Sequence, residues 1–463
     1  MKPPINLYST LSKEIQPFIP INENTVGIYS CGPTVYHYAH IGNLRAYIFA
    51  DTLQRMLRNA GYSVTHVINI TDVGHLTDDG DTGEDKLEKG ARREGKSVFD
   101  IAQMYTEAFM NDLHNLGIDT NAFVFPKATE TIQEQIDLIV LLEQKGYTYT
   151  ISDGVYFDTA KFAHYGDLAR LDIEGLKSGA RVEENKEKRN ITDFALWKFS
   201  KEHEKRQMEW DSPWGVGFPG WHIECSAMSK KILGAHFDIH TGGIDHIPVH
   251  HTNEIAQSVC ANESPFVNYW MHVNFLNDTT GKMSKSSNDF LTLSLLKEKG
   301  YLPFAYRYFL LGTHYRKEVT FSYEALDGAQ TAYKKLVQFS KENQGSHGTI
   351  SSLYLTKVED SLRNDLNTSE ALAYMWTMLK DDTISLPDRY ATLMAIDTLL
   401  GLGLQGVTKE VMELPEEVTS LLAKRTSARE AKDFALSDSL RDELLTLGYI
   451  VKDTKDGQEV SRV

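Results

Sequence analysis

The 463-residue chain reads as an α/β protein: a parallel, nucleotide-binding type of sheet split by an insertion, followed by a helical bundle and a small C-terminal domain. Three observations predict this. A strand, a helix and a second strand follow one another between Val26 and Ile70, and that order builds a parallel βαβ unit. From about Leu326 onward the apolar residues recur mostly at helical spacing. The composition, 41% hydrophobic and 24% charged, is that of an ordinary globular chain and excludes disorder, collagen-like repeats and coiled-coil fibres.

Taken in order, Val26 to Ser30 is β-branched and aromatic and runs into the turn Cys31-Gly32-Pro33-Thr34. Leu44, Ile48, Leu53, Met56 and Leu57 then share one helical face, and Gly61 stands where such a helix ends. Ser63 to Ile70 returns to strand character. Thr131 and Glu134 have capping-box spacing and predict a helix that stops near Lys145-Gly146. Short strand pieces and charged loops from about Thr150 to Trp210 read as inserted material, and apolar strands return from Gly217 to Phe290. The helical stretch breaks near Gly401 to Gly406 and resumes from Pro415. The expected layout is a split Rossmann-type sheet domain (residues 1–120 and 211–300), an inserted module (121–210), a helical stem (301–405) and a small C-terminal domain (406–463).

The net charge of −16 argues against general nucleic-acid binding, which neutralises phosphates with Lys and Arg. A partner read through a local basic face is still compatible with it. No apolar run approaches the ~18 residues of a membrane span, and the N-terminus lacks the basic and apolar pattern of a signal peptide. Cys31, Cys225 and Cys260 are the only cysteines. Three in so long a chain build no disulfide framework, so a reducing cytoplasm is expected and paired cysteines read as metal ligands.

Three constellations carry chemistry. His40-Ile41-Gly42-Asn43 opens the first helix, where backbone N–H groups and the positive dipole end suit phosphate. His40 and Asn43 can donate to it, and Gly42 leaves room for a base; a satisfied turn histidine is the plainer alternative. Gly281-Lys282-Met283-Ser284-Lys285-Ser286 places two lysines around a small loop, suited to gripping a triphosphate as charge moves onto pyrophosphate; surface lysine pairs are commoner. His250 and Glu254 are i, i+4 on an expected helix. With Cys225 and Cys31 they make a zinc-type donor set, although spacing alone does not join them. Cys260 reads as a small buried residue.

The strings CGPTVYHYAHIGN, NITDV, DFALWK, GFPGWHIECSAM, HHTNE and KMSKS occur in this order, followed by LRNDLNTSEAL and AREAKDFALSD. Together they resemble the cysteinyl-tRNA synthetases, a class I aminoacyl-tRNA synthetase family, over nearly the whole chain. The resemblance implies ligation of L-cysteine to tRNA(Cys) with ATP and Mg2+. It also implies one zinc ion, held by Cys31, Cys225, His250 and Glu254, that binds the substrate thiolate and rejects serine without an editing domain. Gly32, Thr71, Trp221 and His240 are implied to line the cysteine site, and Asp245 to meet the ribose. His40, Asn43, Lys282 and Lys285 are implied to bind ATP and stabilise adenylate formation. A monomer whose helical and C-terminal domains face the tRNA is implied as well.

The chain departs from the family pattern in places. Asn43 replaces the second His of HIGH, Thr241 stands where Gly is usual, and HHTNE replaces HHENE. KMSKSSND replaces KMSKSLGN, and the C-terminus lacks a common tryptophan. The acidic 77–89 stretch reads as a solvated loop, since its carboxylate spacing does not fit an EF-hand. Two rival functions are a cysteine ligase acting on an amino-sugar acceptor and a non-catalytic relative, and the retained His40 and Lys285 speak against the second.

Overall fold

A computed structural model describes residues 2–74, 85–171, 186–200, 206–278, 281–282, 291–408, 414–454 and 457–462. Residues Met1–Val407 form one compact unit and Thr408–Val463 a second. The acidic 77–89 stretch lies outside the described residues up to residue 84.

The chain opens with a hairpin, β1 (Asn6–Ser9) and β2 (Glu14–Pro17). Strand β3 (Thr25–Ser30) leads through the Cys31 turn into helix α1 (Ile41–Asn59), then β4 (Ser63–Ile68). Helix α1 buries Leu44, Ile48, Leu53, Met56 and Leu57, the stripe read from the sequence. Gly61 (φ +88°) takes the left-handed position after the cap. Strand β4 ends at Ile68 because Asn69 turns its side chain back to the Gly32 N–H (2.7 Å).

Helices α2 (Lys86–Glu94), α3 (Val98–Asn115) and α4 (Ile132–Gln144) follow. The expected capping box at α4 does not form. The Thr131 hydroxyl donates back to the Ala128 carbonyl (3.1 Å), and Glu134 pairs with Lys231 (2.5 Å). An antiparallel sheet comes next, in the order β5 (Thr148–Ile151), β6 (Gly154–Phe157), β7 (Phe194–Phe199), β8 (Gly217–Pro219). Because β8 pairs with β7, the inserted sheet extends past residue 210.

Helix α5 (Trp221–Leu233), strand β9 (Phe237–Gly243), helix α6 (Thr252–Asn262) and strand β10 (Val267–Val273) complete the central sheet, whose order is β10-β9-β3-β4 with every pairing parallel. Neighbouring residues go to different apolar clusters, Ile28 against Tyr29 and Met271 against Trp270, so both faces of the sheet are covered. Strand order reverses between β3 and β9, and ligands of open α/β sheets bind at such a switch point.

A small sheet then places β11 (Leu276–Asp278) between β12 (Gly281–Lys282) and β13 (Val319–Thr320). The remaining helices of the first unit are α7 (Leu293–Glu298), α8 (Pro303–Leu311), α9 (Tyr323–Asn343), α10 (Ser352–Arg363), α11 (Thr368–Leu379) and α12 (Leu386–Leu400). Gly401 (φ +64°) caps α12 at the expected break. The second unit packs α13 (Glu416–Glu430) and α14 (Phe434–Thr446) with the hairpin β14 (Tyr449–Thr454) and β15 (Gly457–Arg462), around Val418, Leu440, Leu444 and Tyr449. Among the described residues no helix is long and apolar enough to cross a membrane.

Candidate active site

A cavity of about 310 Å³ opens at the carboxyl ends of β3 and β9. Cys31, Gly32, His40, Asn43, Trp221 and Asp245 all line it, with Asn274, Phe275 and Leu276 from the exit of β10. Gly32 is required by the fold itself: a Cβ there would fall 1.5 Å from the Asn69 carbonyl oxygen. Gly42 has a similar reason, because its Cβ would lie 2.9 Å from the His40 ring. Gly42 itself lines the cavity beside His40.

His40 is the N-cap of α1. Its Nδ1 accepts from the Asn43 N–H (3.2 Å), while Asn43 Oδ1 accepts from the His40 N–H (3.3 Å). This reciprocal box assigns the ring tautomer: with Nδ1 accepting, the neutral imidazole carries its proton on Nε2. It leaves the Asn43 Nδ2 as that side chain's donor. Ile41 N–H donates to the Leu291 carbonyl (2.8 Å), so two of the backbone donors expected for phosphate already have partners.

Beneath the cavity floor, Cys31, Cys225, His250 and Glu254 bring one donor atom each within 4.8 Å of one another. Cys225, His250 and Glu254 are at most 2% exposed and Cys31 8%. Residues Ile247–His251 form a single π-helical turn ahead of α6 rather than the regular helix expected. Glu254 stands four residues after His250 and three after His251, so both rings face it, with Nε2 to Oε1 distances of 3.0 and 3.9 Å. The His250 ring is turned by His222, whose Nδ1 lies 2.9 Å from its own Nδ1.

Further histidines surround this group. His240 Nε2 lies 2.9 Å from Glu254 Oε2, and its ring stacks on Trp270. His251 Nε2 sits 3.1 Å from Cys31 Sγ, and its Nδ1 is 2.8 Å from His272. His222, His251 and His272 were not singled out from the sequence. They come from a helix, a π turn and a strand, and no periodicity joins them. Thr71 and His240 are buried and do not line the cavity; Thr71 accepts from Asn69 (2.9 Å) and His240 stands behind Glu254.

The electrostatics are those of a cation site. A hydrogen bond from Cys31 holds the Cys225 thiol below its usual range against burial, while burial and the same neighbour push Cys31 well above it. Burial opposes charge on Glu254 and on His250. Even so, His240 and His250 hold the Glu254 carboxyl low, and Glu254 with Cys225 raises His250. Two thiols, a carboxylate and an imidazole oriented by a second imidazole fit a tetrahedral N/S/O cation such as zinc. Glu254 Oε1 accepts no well-aligned hydrogen bond although His250 Nε2 lies 3.0 Å away, as expected of two atoms that face a common cation.

Asp245 is exposed at the rim. Lys282 of β12 pairs through its backbone with Asn277 of β11, and Lys285 lies outside the described residues. Cys260 is buried beside Tyr147, away from this cluster.

Comparison with known proteins follows this geometry. Residues 17–331 match the family model of the tRNA synthetases class I (C) catalytic domain, and residues 412–460 that of the cysteinyl-tRNA ligase anticodon binding domain. The chain is 50% identical over 460 residues to cysteine–tRNA ligase 1 of Burkholderia lata, covering 99% of this chain and 97% of that protein. It is 45% identical over 481 residues to cysteine–tRNA ligase of Treponema denticola, covering 97% and 98%. Among solved structures it resembles the Agrobacterium radiobacter LeuRS-tRNA-LeuAMS complex (TM-score 0.59, 11% identity, covering 84% of this chain and 85% of that one). It also resembles Mycobacterium tuberculosis methionyl-tRNA synthetase bound by methionyl-adenylate (TM-score 0.54, 14% identity, covering 84% and 92%).

Proposed function

The chain belongs to the cysteine–tRNA ligases of the class I tRNA synthetases, and from that premise we propose how its residues divide the work. The enzyme attaches cysteine to tRNA(Cys) with ATP. The observation that carries the proposal is the buried donor set of Cys31, Cys225, His250 and Glu254 directly under the cavity, with Cys31 reaching its wall.

Those four residues would hold one zinc ion. Bound there, zinc supplies a soft Lewis acid that takes a sulfur ligand as thiolate and discriminates against the harder, far less acidic serine hydroxyl. His222 fixes the His250 ring and His240 the Glu254 carboxylate, so the donors need little reorganisation. Gly32 lines the cysteine pocket at the β3 turn, Trp221 walls the floor, and Thr71 and His240 support it from behind. An ordinary pocket separates such close analogues by only ~10²-fold, which is why the donor set rather than pocket shape is given the selection.

At the mouth, ATP with Mg2+ meets His40 and Asn43, with Asp245 toward the ribose, and the KMSKS motif assigns Lys282 and Lys285 to the triphosphate. The cysteine carboxylate attacks the α-phosphate in line and pyrophosphate leaves. No general base is needed, because the nucleophile is already ionised. His40 donates from Nε2 and Asn43 from Nδ2 to the phosphate oxygens as charge builds, and the lysines neutralise the departing pyrophosphate. The adenylate is then passed to the terminal ribose of the tRNA. Three free buried thiols fit a reducing cytoplasm, and the family resemblance implies a monomer. Transfer to an amino sugar calls for no anticodon-binding segment, whereas residues 412–460 match one.

The test is cysteine-dependent ATP–pyrophosphate exchange with serine as competitor, before and after chelation and with zinc restored. Exchange with cysteine alone, lost with the metal and recovered with zinc, is expected. Full exchange in metal-free enzyme would overturn the assignment of the donor set.

A further inference from the structure

The two ATP-handling strings lie more than two hundred positions apart in the chain, yet both must meet one triphosphate. Something must fix α1, which carries His40 and Asn43, relative to β12, which carries Lys282. The described residues show what does. Arg45, on the first turns of α1, is 4% exposed, and among the described residues its guanidinium donates to backbone carbonyls. Its Nη1 donates to Asn274 (2.6 Å) and Phe275 (2.7 Å). Its Nη2 donates to Lys317 (2.6 Å), His314 (3.1 Å) and, more weakly, Tyr315 (3.4 Å).

Each acceptor leads to the lysine strand. Asn274 and Phe275 line the cavity and run straight into β11, which pairs with Lys282 of β12. The 314–317 turn runs into β13, which pairs with the other edge of β11. The turn is held from its far side by Asp365. That buried carboxylate accepts from Tyr315 Oη (2.7 Å) and Arg316 Nε (2.8 Å), and the residue sits in the left-handed region (φ +57°). Beyond the lysine strand, Leu291 accepts from the Ile41 N–H of α1 (2.8 Å). Both flanks of the lysine segment are therefore tied to the helix that carries His40.

We infer that Arg45 is a positioning residue for adenylate formation: through the Asn274–Phe275 and His314–Lys317 carbonyls it sets the separation between the His40/Asn43 helix and the Lys282 strand. Only arginine offers five donors in a planar fork able to serve two backbone segments at once. Lysine at this place would keep the charge and at most three bonds. The thiol-binding floor is built from other elements, so cysteine selection stands apart from Arg45. The inference rests on the proposed ATP role of His40.

The experiment compares Arg45→Met and Arg45→Lys with wild type in ATP–pyrophosphate exchange, metal content and thermal unfolding. Arg45→Met is expected to lower kcat by about 10- to 100-fold, as a misplacement of ~1 Å does, with metal content and the KM for cysteine unchanged. Arg45→Lys recovers part of the loss. Unchanged kcat in folded Arg45→Met overturns the inference, as does parallel loss of kcat, metal and cysteine KM. Should Arg45→Met not fold, Asp365→Asn loosens the same turn with Arg45 intact, and a smaller kcat loss at constant cysteine KM is expected; unchanged kcat there overturns it. His40→Ala separates the two levels: if it is fully active the ATP reading fails, and if it alone is inactive only the Arg45 inference fails.

Discussion

Beneath the cavity floor Cys225, His240, His250, His251 and Glu254 are all 2% exposed or less, and side chains hold side chains. At the mouth His40 is half-buried and Asn43 exposed, and they are held by a short capping box and by backbone. Under the proposed division of work, the contrast follows from what each end would have to do. Selecting sulfur over oxygen needs donors fixed in advance, and in a low-dielectric floor their charges act strongly. Adenylation needs an open end, since ATP must enter, pyrophosphate leave and the tRNA terminus arrive. Substitutions at the floor should therefore alter which amino acid is used, and those at the mouth how fast it is used.

The largest expected effect is at the floor. Cys225→Ala should empty the metal site, read as metal content, and abolish cysteine-dependent exchange at ordinary concentrations. What activity persists should prefer cysteine to serine by no more than the ~10²-fold of a pocket without a specific ligand. Retained discrimination with no metal would break the comparison. Next comes the mouth. His40→Ala should lower the exchange kcat by about 10²- to 10³-fold, the usual cost of one transition-state donor. It should leave metal content and cysteine KM alone and cost only about 1 kcal/mol of stability as a lost cap. A rise in cysteine KM of the same size would show that the two ends are not separable.

The sheet beneath both ends gives a pH signature. His66 on β4 is 1% exposed and bonded to Ser30 (2.8 Å); burial, aided by Arg58, lowers its pKa to about 3 from 6.5. Between these values the unfolded chain binds a proton that the folded one refuses, so stability is fully present above pH 6.5 and falls as pH drops toward 3. One such histidine gives a slope of about 1.4 kcal/mol per pH unit. Denaturant midpoints followed by Trp197 and Trp270 fluorescence should fall below pH 6.5, and His66→Gln should flatten the curve. An unflattened curve would place the proton uptake at the other buried histidines, His246, His251 and His272, which burial also pushes low.

What the sequence told about each end differs in the same way. The mouth is local: a strand, a turn and a helix start lie within a few tens of residues, so the βαβ unit and the His40 position could be read by periodicity and capping rules. The floor is not. Cys31 and Cys225 meet only because β3 and α5 pack at the same sheet, and no spacing rule joins them; the family resemblance did. The π turn at Ile247–His251 has no signature in side-chain pattern, so His251 was overlooked while His250 was found. Thr131 and Glu134 show the opposite error. The capping-box spacing was present, but the nearby Ala128 carbonyl and Lys231 competed for both side chains.

The smallest expected effect tests the mouth at its finest grain. Asn43 stands where the family motif has a second histidine, and its Oδ1 is engaged by the His40 N–H. One donor, Nδ2, is left for the nucleotide, and a histidine would also supply one. Asn43→His should thus keep the transition-state contact while weakening the box that fixes His40. A net neutral hydrogen bond is worth about 0.5–1.5 kcal/mol, so exchange should change by about 2- to 10-fold at constant cysteine KM. Asn43→Ala loses donor and cap together and should fall further. If Asn43→Ala instead matches wild type, neither the Nδ2 donor nor the box to His40 matters for exchange, and the donor assigned to Asn43 belongs to another group at the open end.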